Sequence, residues 1–570
     1  MQTLTERLRH SAETAASTYG LTFVDRRGEE RHYDWKQIHQ SALQMAYFLH
    51  EKGYRYGDRA LIVLPTCPEF FDAFFGAQLL GVTPVPIYPP LRLGKMNEYI
   101  DKTVAMLKAS SAKGIISNKQ ISRVFGEVVS RHPLENGLSL VEQVKNPDPC
   151  TLPEISPDDL AMAQFSSGTT SNPKPVGLTH RQVLANTDAI LSYVEGDCGC
   201  SWLPLYHDMG LIGCIFPAVS KPGKIVLIAP EVFLAKPALW LQSISKHKAY
   251  VSPAPNFAYS YCVDRIKDKD LEGLDLSSWK LALNGAEAVA PEALNRFHER
   301  FSAIGLVETA LTPVYGLAEA SLAVTFSDPA QKYTTHHFDR ETLLQGAAVQ
   351  TADPHSAIEL ATVGTPLPGF FVEIRDPDSG LPQQESQIGS IFVKGPSVMR
   401  GYLNDAPSPI VDGWLNTGDM GFIHEGELYI YGRTKDLIIV NGQNHAPQDI
   451  EQAIDGHPAV RTGCSAAVGN SSTEGEEIYL FVECLEHQPG LSKELQKQIR
   501  SLTGITVDLV ILLEPGTLPR TSSGKIRRQD TLKRFLAGEL RPPKKLNAWL
   551  ITKIMTKSTL GYLQSRWNNG

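Results

Sequence analysis

Eight cysteines in a chain of 570 residues are too few for a disulfide framework. Only Cys198 and Cys200 stand close together, and the single intervening Gly199 is tighter than zinc-knuckle spacing, so ordinary reduced thiols are expected. No run of about eighteen uninterrupted apolar residues occurs, which excludes a helical membrane span. The opening MQTLTERLRHSAETAAS is charged and amphipathic and lacks the apolar centre of a secretion signal, so cytoplasmic residence is expected. Positive charge is also in short supply. With 54 Lys and Arg against 62 Asp and Glu, and no basic stripe before the C-terminal segment, the net charge of −8 argues against a nucleic-acid binder. What remains, 42% hydrophobic and 20% charged, is the composition of a globular protein, and its length calls for two or more domains.

Alternating strand and helix signals give the fold class. After a short strand pair around Asp25 to Gly28, Asp34 and Gln37 make a capping-box start. Ile38, Ala42, Met45, Ala46 and Leu49 then recur at helical spacing, and Gly53 can end the helix. Ala60 to Leu64 reads as a buried strand, Pro68 to Leu80 as a helix and Val82 to Ile87 as a strand. The alternation continues through Gly114 to Ser117 and Lys224 to Ala229. This is the pattern of an α/β protein with largely parallel sheets. Residues 327 to 361 lack clear periodicity and read as an insertion with little repeating structure. From Val363 the pattern turns to β, with a hairpin around Glu425 and Gly426. Past Lys435, a helix at Ile450 to Ile454 and strands at Ile478 to Val482 and Leu509 to Leu513 make a small α+β domain. The tail, Leu546 to Trp567, is expected to dock as an amphipathic helix.

Several stretches carry chemistry. Gln164 to His180, QFSSGTTSNPKPVGLTH, follows an apolar strand with a polar loop. There Ser166, Ser167, Thr169 and Thr170 surround Gly168, and Lys174 stands close behind. Exposed N–H groups, hydroxyls and a lysine suit a polyphosphate, although the Gly-to-Lys spacing is not that of a Walker A loop. SWLPLYHDMG, from Ser201, sets His207 and Asp208 among aromatic and apolar residues, where they are either a satisfied core pair or part of a site. SPAPNFAYSY, from Ser252, either lines an apolar pocket or packs as a loop. LALNGAE, from Leu281, ends a strand in small residues, and LTPVYGLAE, from Leu311, offers a stacking ring at Tyr315 and a carboxylate at Glu319. Asp419 sits between glycines in GWLNTGDMG, placed either as a turn residue or to accept from a ribose diol. Lys525 lies on a Ser-Ser-Gly turn among Arg520, Arg527 and Arg528.

In this order, SSGTTSNPKPVGLTH, NGAE, YGLAE, TGDMG, GRTKDLI and LPRTSSGKI resemble the adenylate-forming superfamily of acyl-CoA synthetases, peptide-synthetase adenylation domains and luciferases. Within it, WLPLYHDMGLIG and KDLIIVNGQNHAPQDIE look most like fatty acyl-AMP ligases, and the resemblance covers nearly the whole chain. It implies a large N-terminal adenylation domain, 1–434, interrupted by the insertion, and a smaller mobile lid domain, 435–570. The implied substrates are ATP and a medium- or long-chain fatty acid, with Mg²⁺ as cofactor. The acyl-AMP so formed would be passed to the phosphopantetheine thiol of an acyl carrier protein. Since no Asp-Ser-Leu attachment sequence follows Lys525, that carrier is expected in trans. A long-chain acyl-CoA synthetase is the alternative.

The family's roles carry over by position. Ser166, Ser167, Gly168, Thr169, Thr170 and Lys174 would hold the β- and γ-phosphates. Asn284, Gly285, Ala286, Glu287, Tyr315, Gly316 and Leu317 would surround the adenine, and Asp419 and Arg433 the ribose. Glu319 would bind Mg²⁺, Lys435 would be the hinge, and Lys525 with His207 would form the catalytic set. An apolar tunnel is expected from Trp202, Tyr206, Met209, Pro255, Phe257 and Tyr259, with Asp208 structural rather than a reader of an amino group.

Overall fold

The computed structural model describes residues 1–90, 96–166, 173–353, 356–440, 443–472, 475–486, 488–521 and 525–542. Two sheets with helices between them build the first half. Thr83–Pro86, Arg59–Val63, Gly114–Ser117 and Gly137–Leu140 form a four-stranded sheet in which every pairing is parallel. The helix Trp35–Glu51 starts as its capping box dictates. The Asp34 carboxylate accepts the Gln37 N–H at 2.7 Å, and the Gln37 side chain accepts the Asp34 N–H at 3.0 Å. Its apolar face packs on the helix Pro68–Leu79, and the two approach closely because Gly76 has no side chain. A Cβ there would lie 2.7 Å from the Met45 side chain.

The larger sheet has nine strands, and its interior runs parallel through Leu311–Gly316, Leu281–Asn284, Val251–Ala254, Cys198–Ser201, Lys224–Ile228 and Gly20–Val24. Antiparallel strands close both edges. Neighbouring parallel strands end on the same edge of a sheet, and ligands of open α/β sheets bind outside that edge. The registers place Ala254 beside Asn284 and Asn284 beside Pro313, so the turns after these strands emerge side by side. This is how segments scattered over more than a hundred positions come to face one cleft.

A third, antiparallel sheet joins Phe371–Arg375, Gly389–Lys394, Ile410–Val411, Trp414–His424 and Glu427–Arg433, with the expected hairpin around Glu425 and Gly426. The 327–361 segment, expected to have little regular structure, contains an antiparallel pair, Thr335–Asp339 with Ala357–Ala361, and a short helix, Arg340–Leu344, capped by Asp339. Phe338, Leu343 and Ala348 pack into one cluster with Ile388, Phe422 and Tyr429. The pattern was hidden because Phe338 is the one fully buried residue of its strand, too few for a readable alternation.

The C-terminal part carries a three-stranded sheet, Val460–Ser472, Gly475–Cys484 and Leu509–Leu513, with the helices Pro447–Asp455 and Leu491–Thr503 packed on it. Side-chain packing changes allegiance within two residues. Leu437 rests on the cluster of Phe338, Tyr429 and Tyr431, whereas Ile438 belongs to the core of Ile450, Ile454 and Leu480. The two parts also touch across their faces, through Arg534 on Glu98 at 3.0 and 3.2 Å and Thr462 on Asp264 at 3.3 Å. All eight cysteines are free thiols, and no helix among the described residues is long and apolar enough to cross a membrane. The tail from Leu546 to Trp567 lies outside the described residues.

Candidate active site

The cleft is a cavity of about 600 Å³ between the edge of the nine-stranded sheet, the antiparallel sheet and the loop that bears Lys525. Ser166, Lys174, His207, Met209, Ala286 and Tyr315 line it, as do Gly316, Leu317, Glu319, Arg433, Lys435 and Lys525. The antiparallel strands Leu160–Phe165 and Pro175–Thr179 fix the two ends of the Ser/Thr loop. Ser167, Gly168, Thr169 and Thr170 lie outside the described residues.

Four of the expected nucleotide positions, Asn284, Gly285, Glu287 and Asp419, do not line the cavity. Asn284 and Gly285 are buried behind the cavity wall. The Asn284 amide donates to Asn256 at 3.1 Å, and a Cβ on Gly285 would meet the Val314 side chain at 2.8 Å. The Glu287 carboxylate accepts the Phe257 N–H at 2.7 Å. Of LNGAE, it is Ala286, at a positive φ of 71°, that faces the cavity. Asp419 stands one layer back, and both its oxygens are engaged, Oδ2 by the Tyr315 hydroxyl at 2.7 Å and Oδ1 by Arg433 Nε at 3.1 Å. Cross-strand register sets this, because Asp419 and Arg433 are paired residues of adjacent strands. Asp419 therefore braces the ring and the guanidinium that line the cleft.

Around Glu319 the structure adds a partner that the sequence did not suggest. The Tyr402 hydroxyl donates to Glu319 Oε1 at 3.1 Å, and the Lys174 ammonium sits over the Tyr402 ring, 5.0 Å from its centroid. Burial raises the pKa of Glu319. A carboxylate lining a cavity next to a phosphate-type loop fits Mg²⁺, which takes one or two carboxylates and completes its shell from phosphate and water.

Lys525 is delivered by a loop pinned at both ends. Thr521 N–H donates to the Lys525 carbonyl at 2.7 Å, and Lys525 N–H returns to Thr521 Oγ1 at 3.1 Å. Downstream, Arg528 grips the Glu451 carboxylate with two bonds of 2.6 and 2.7 Å. Burial, with Arg433 nearby, lowers the pKa of Lys525, while Asp208 and Glu287 act in the opposite sense. Asp208, expected to be structural, also lines the cleft. It accepts from His207 Nδ1 at 2.6 Å; although burial opposes its ionisation, His207 and Lys525 hold its carboxyl below the ordinary value. Gln164, for which no role was expected, also lines the cleft, and its buried amide oxygen has no hydrogen-bond partner among the described residues.

A second cavity, a groove of about 1180 Å³ between the two parts of the chain, shares Phe165 and Ser166 with the cleft. Trp202, Tyr206 and Phe257 line it. Met209 lines the cleft instead, and Pro255 and Tyr259 line neither cavity. Tyr259 is wholly buried, edge-on to Trp240 and Phe297, with its hydroxyl on the Leu283 carbonyl at 3.3 Å. The helix that begins after Pro255 turns this face of its aromatic run into the core.

The model of the AMP-binding enzyme family matches residues 8–403. The chain belongs to that family. A second model, the AMP domain of Disco-interacting protein 2-like proteins, matches residues 435–545 of this AMP-binding enzyme. Among curated relatives, the long-chain-fatty-acid–AMP ligase FadD23 of Mycobacterium tuberculosis is 33% identical over 90% of this chain and 92% of its own. A putative acyl-CoA synthetase of Caulobacter vibrioides is 32% identical over 94% and 96%. A solved structure from a study of fatty acyl-adenylate ligases from E. coli and L. pneumophila superposes with a TM-score of 0.88 at 34% identity, covering 94% of this chain and 98% of that one. The L. pneumophila fatty acyl-adenylate ligase in complex with acyl adenylate and pyrophosphate gives 0.72 at 31%, over 94% and 96%. The motif resemblance to the fatty acyl-AMP ligases thus holds, and the chain is an ATP-dependent adenylate-forming enzyme with the fold of that superfamily.

Proposed function

We propose that the chain activates a medium- or long-chain fatty acid with ATP, giving acyl-AMP and pyrophosphate, and then hands the acyl group to the phosphopantetheine thiol of an acyl carrier protein in trans. The observation that carries the reading is the meeting of Lys525, from the C-terminal part, with Tyr315, Glu319 and Arg433 in one cavity that adjoins an aromatic-lined groove. The naming of relatives as fatty acid–AMP ligases supports the acyl substrate.

A carboxylate and a triphosphate repel each other, so catalysis is mainly positioning and placement of positive charge. Tyr315, held by Asp419, presents its ring to the adenine, and Arg433, held by the same carboxylate, faces the ribose. Lys174 and the hydroxyls of its loop take the outer phosphates. Glu319 would hold Mg²⁺, whose charge offsets that of the polyphosphate. The acyl chain passes Phe165 into the groove between Trp202, Tyr206 and Phe257, which leaves its carboxylate near Lys525. As a carboxylate oxygen attacks the α-phosphorus and pyrophosphate leaves, the ammonium of Lys525 stabilises the charge shared by the two anions. Rotation of the C-terminal part about Lys435 then withdraws Lys525 and admits the thiol, which attacks the acyl carbon and releases AMP.

The test is fatty-acid-dependent pyrophosphate release with mass detection of acyl-AMP, run on the wild type and Lys525→Ala. Equal rates for the two would sink the proposal. The acceptor is tested separately, by offering CoA and phosphopantetheinylated carrier protein in parallel. The relative named as an acyl-CoA synthetase favours a second reading, in which CoA is the acceptor, and efficient acyl-CoA formation would establish it.

A further inference from the structure

We propose that His336, His424 and Glu425 form a binding site for one first-row divalent cation of the zinc type, which clips the 327–361 segment onto the antiparallel sheet. His336 comes from the strand Thr335–Asp339 of that segment. His424 ends the strand Trp414–His424, and Glu425 follows in the turn at a positive φ of 52°. One ligand atom from each of the three lies within 4.8 Å of the others.

The surroundings resemble those of a metal site. The two imidazole rings are 5.2 Å apart and nearly perpendicular. Each ring has its Nδ1 on a hydroxyl, His336 on Tyr429 at 3.0 Å and His424 on Ser386 at 2.7 Å. Outer partners of this kind fix ring orientation and tautomer, leaving Nε2 for the ion. His336 Nε2 stands 3.8 Å from Glu425 Oε2. That is too long for a hydrogen bond, yet it is a separation that two ligands each about 2.0–2.2 Å from one ion can span. At His424 the Gln350 amide nitrogen lies 2.7 Å from Nε2 and donates to it, so Nε2 carries the lone pair. An arriving cation displaces that proton donor, and the same amide, turned over, offers its oxygen as a fourth ligand.

Two imidazoles with one carboxylate select zinc, cobalt or nickel over magnesium and calcium, so the site differs in kind from the oxygen surroundings of Glu319. None of the three residues lines the cleft or the groove. Its role is therefore to fasten the segment rather than to take part in adenylation.

The experiment uses the full chain, stripped with a chelator and titrated calorimetrically with Zn²⁺, beside His336→Ala, His424→Ala and Glu425→Gln. The wild type takes up one equivalent, at least about tenfold more tightly than any variant, and its melting temperature rises with added Zn²⁺ while theirs do not. Acyl-adenylate formation at wild-type rate, assayed with Mg²⁺ and without added Zn²⁺, certifies that the variants are folded. Glu425→Gln, at an exposed turn, does so without disturbing packed rings. Equal Zn²⁺ affinity in the folded variants and the wild type overturns the proposal.

Discussion

The cleft and the groove beside it meet at Phe165 and Ser166, but they are built from different materials. The cleft owes its shape to turns at the ends of adjacent parallel strands, and its chemistry to a few charged groups braced from behind: Asp419 on Tyr315 and Arg433, Tyr402 on Glu319, His207 on Asp208. The groove is walled by aromatic rings on one side and by the C-terminal part on the other. Moving one cleft residue alters a network. Moving one groove residue alters a volume, and changes when the two parts of the chain shift.

Substitutions can break that division. The largest effect is expected for Lys525→Ala, which removes a cation brought to the cleft by the C-terminal part. Acyl-AMP formation should fall by about 10²–10³ with little change in KM for ATP, measured by pyrophosphate release. Next, Asp419→Ala frees both Tyr315 and Arg433, so kcat/KM for ATP should drop by about 10²-fold while KM for the fatty acid holds. Phe257→Ala belongs to the groove and should reverse that pattern, raising KM for the fatty acid by roughly 10-fold and sparing ATP. Were Phe257→Ala instead to weaken ATP, the cleft and the groove would be one site.

Smaller effects concern the contact between the two parts. Glu98→Gln removes the carboxylate that holds Arg534 and should shift the ratio of adenylation to thiol-transfer rates by only a few-fold, since half-exposed ion pairs are worth about 1 kcal/mol or less. Stopped assays of each half-reaction would detect it. Arg534 and Lys102 hold the Glu98 pKa down to about 2 against the opposing effect of burial. A depressed carboxylate stabilises the docked arrangement fully above its unfolded value near 4.5, and that stability is lost as the pH falls from there toward about 2. The rate has an alkaline limit of its own. Because burial lowers the pKa of Lys525, acyl-AMP formation should decline at a pH below the 10.5 of a free lysine, and Lys525→Arg should move that limb upward in a pH profile.

Legibility in the sequence followed the same division. Tyr315, Glu319, Arg433 and Lys525 stood in ordered motifs and arrive together in the cleft. Asn284, Gly285 and Glu287 were in a motif too, yet only the positive φ at Ala286 decides which member of that turn faces inward. Tyr402 was out of reach: a lone tyrosine carries no signal until its hydroxyl is found on Glu319. In SPAPNFAYSY, Phe257 and Tyr259 are two residues apart and carry the same pocket-lining expectation. The helix sends one to the groove and the other into the core. The strand pair of the 327–361 segment was not legible, because its partner strands are about twenty residues apart and pairing across such a gap leaves no local period.

By itself the sequence determined the α/β class, the capped helices and the glycine-bearing turns, since these rest on spacing along the chain and on interactions within a few residues. Which carboxylate reaches a ligand and which one braces its neighbour, which ring lines a cavity, and whether Lys525 reaches the cleft were decided only by tertiary structure. Each of those outcomes depends on cross-strand register and on the docking of two separately built parts. Both are set by contacts between residues far apart in the chain, and no window of sequence contains them.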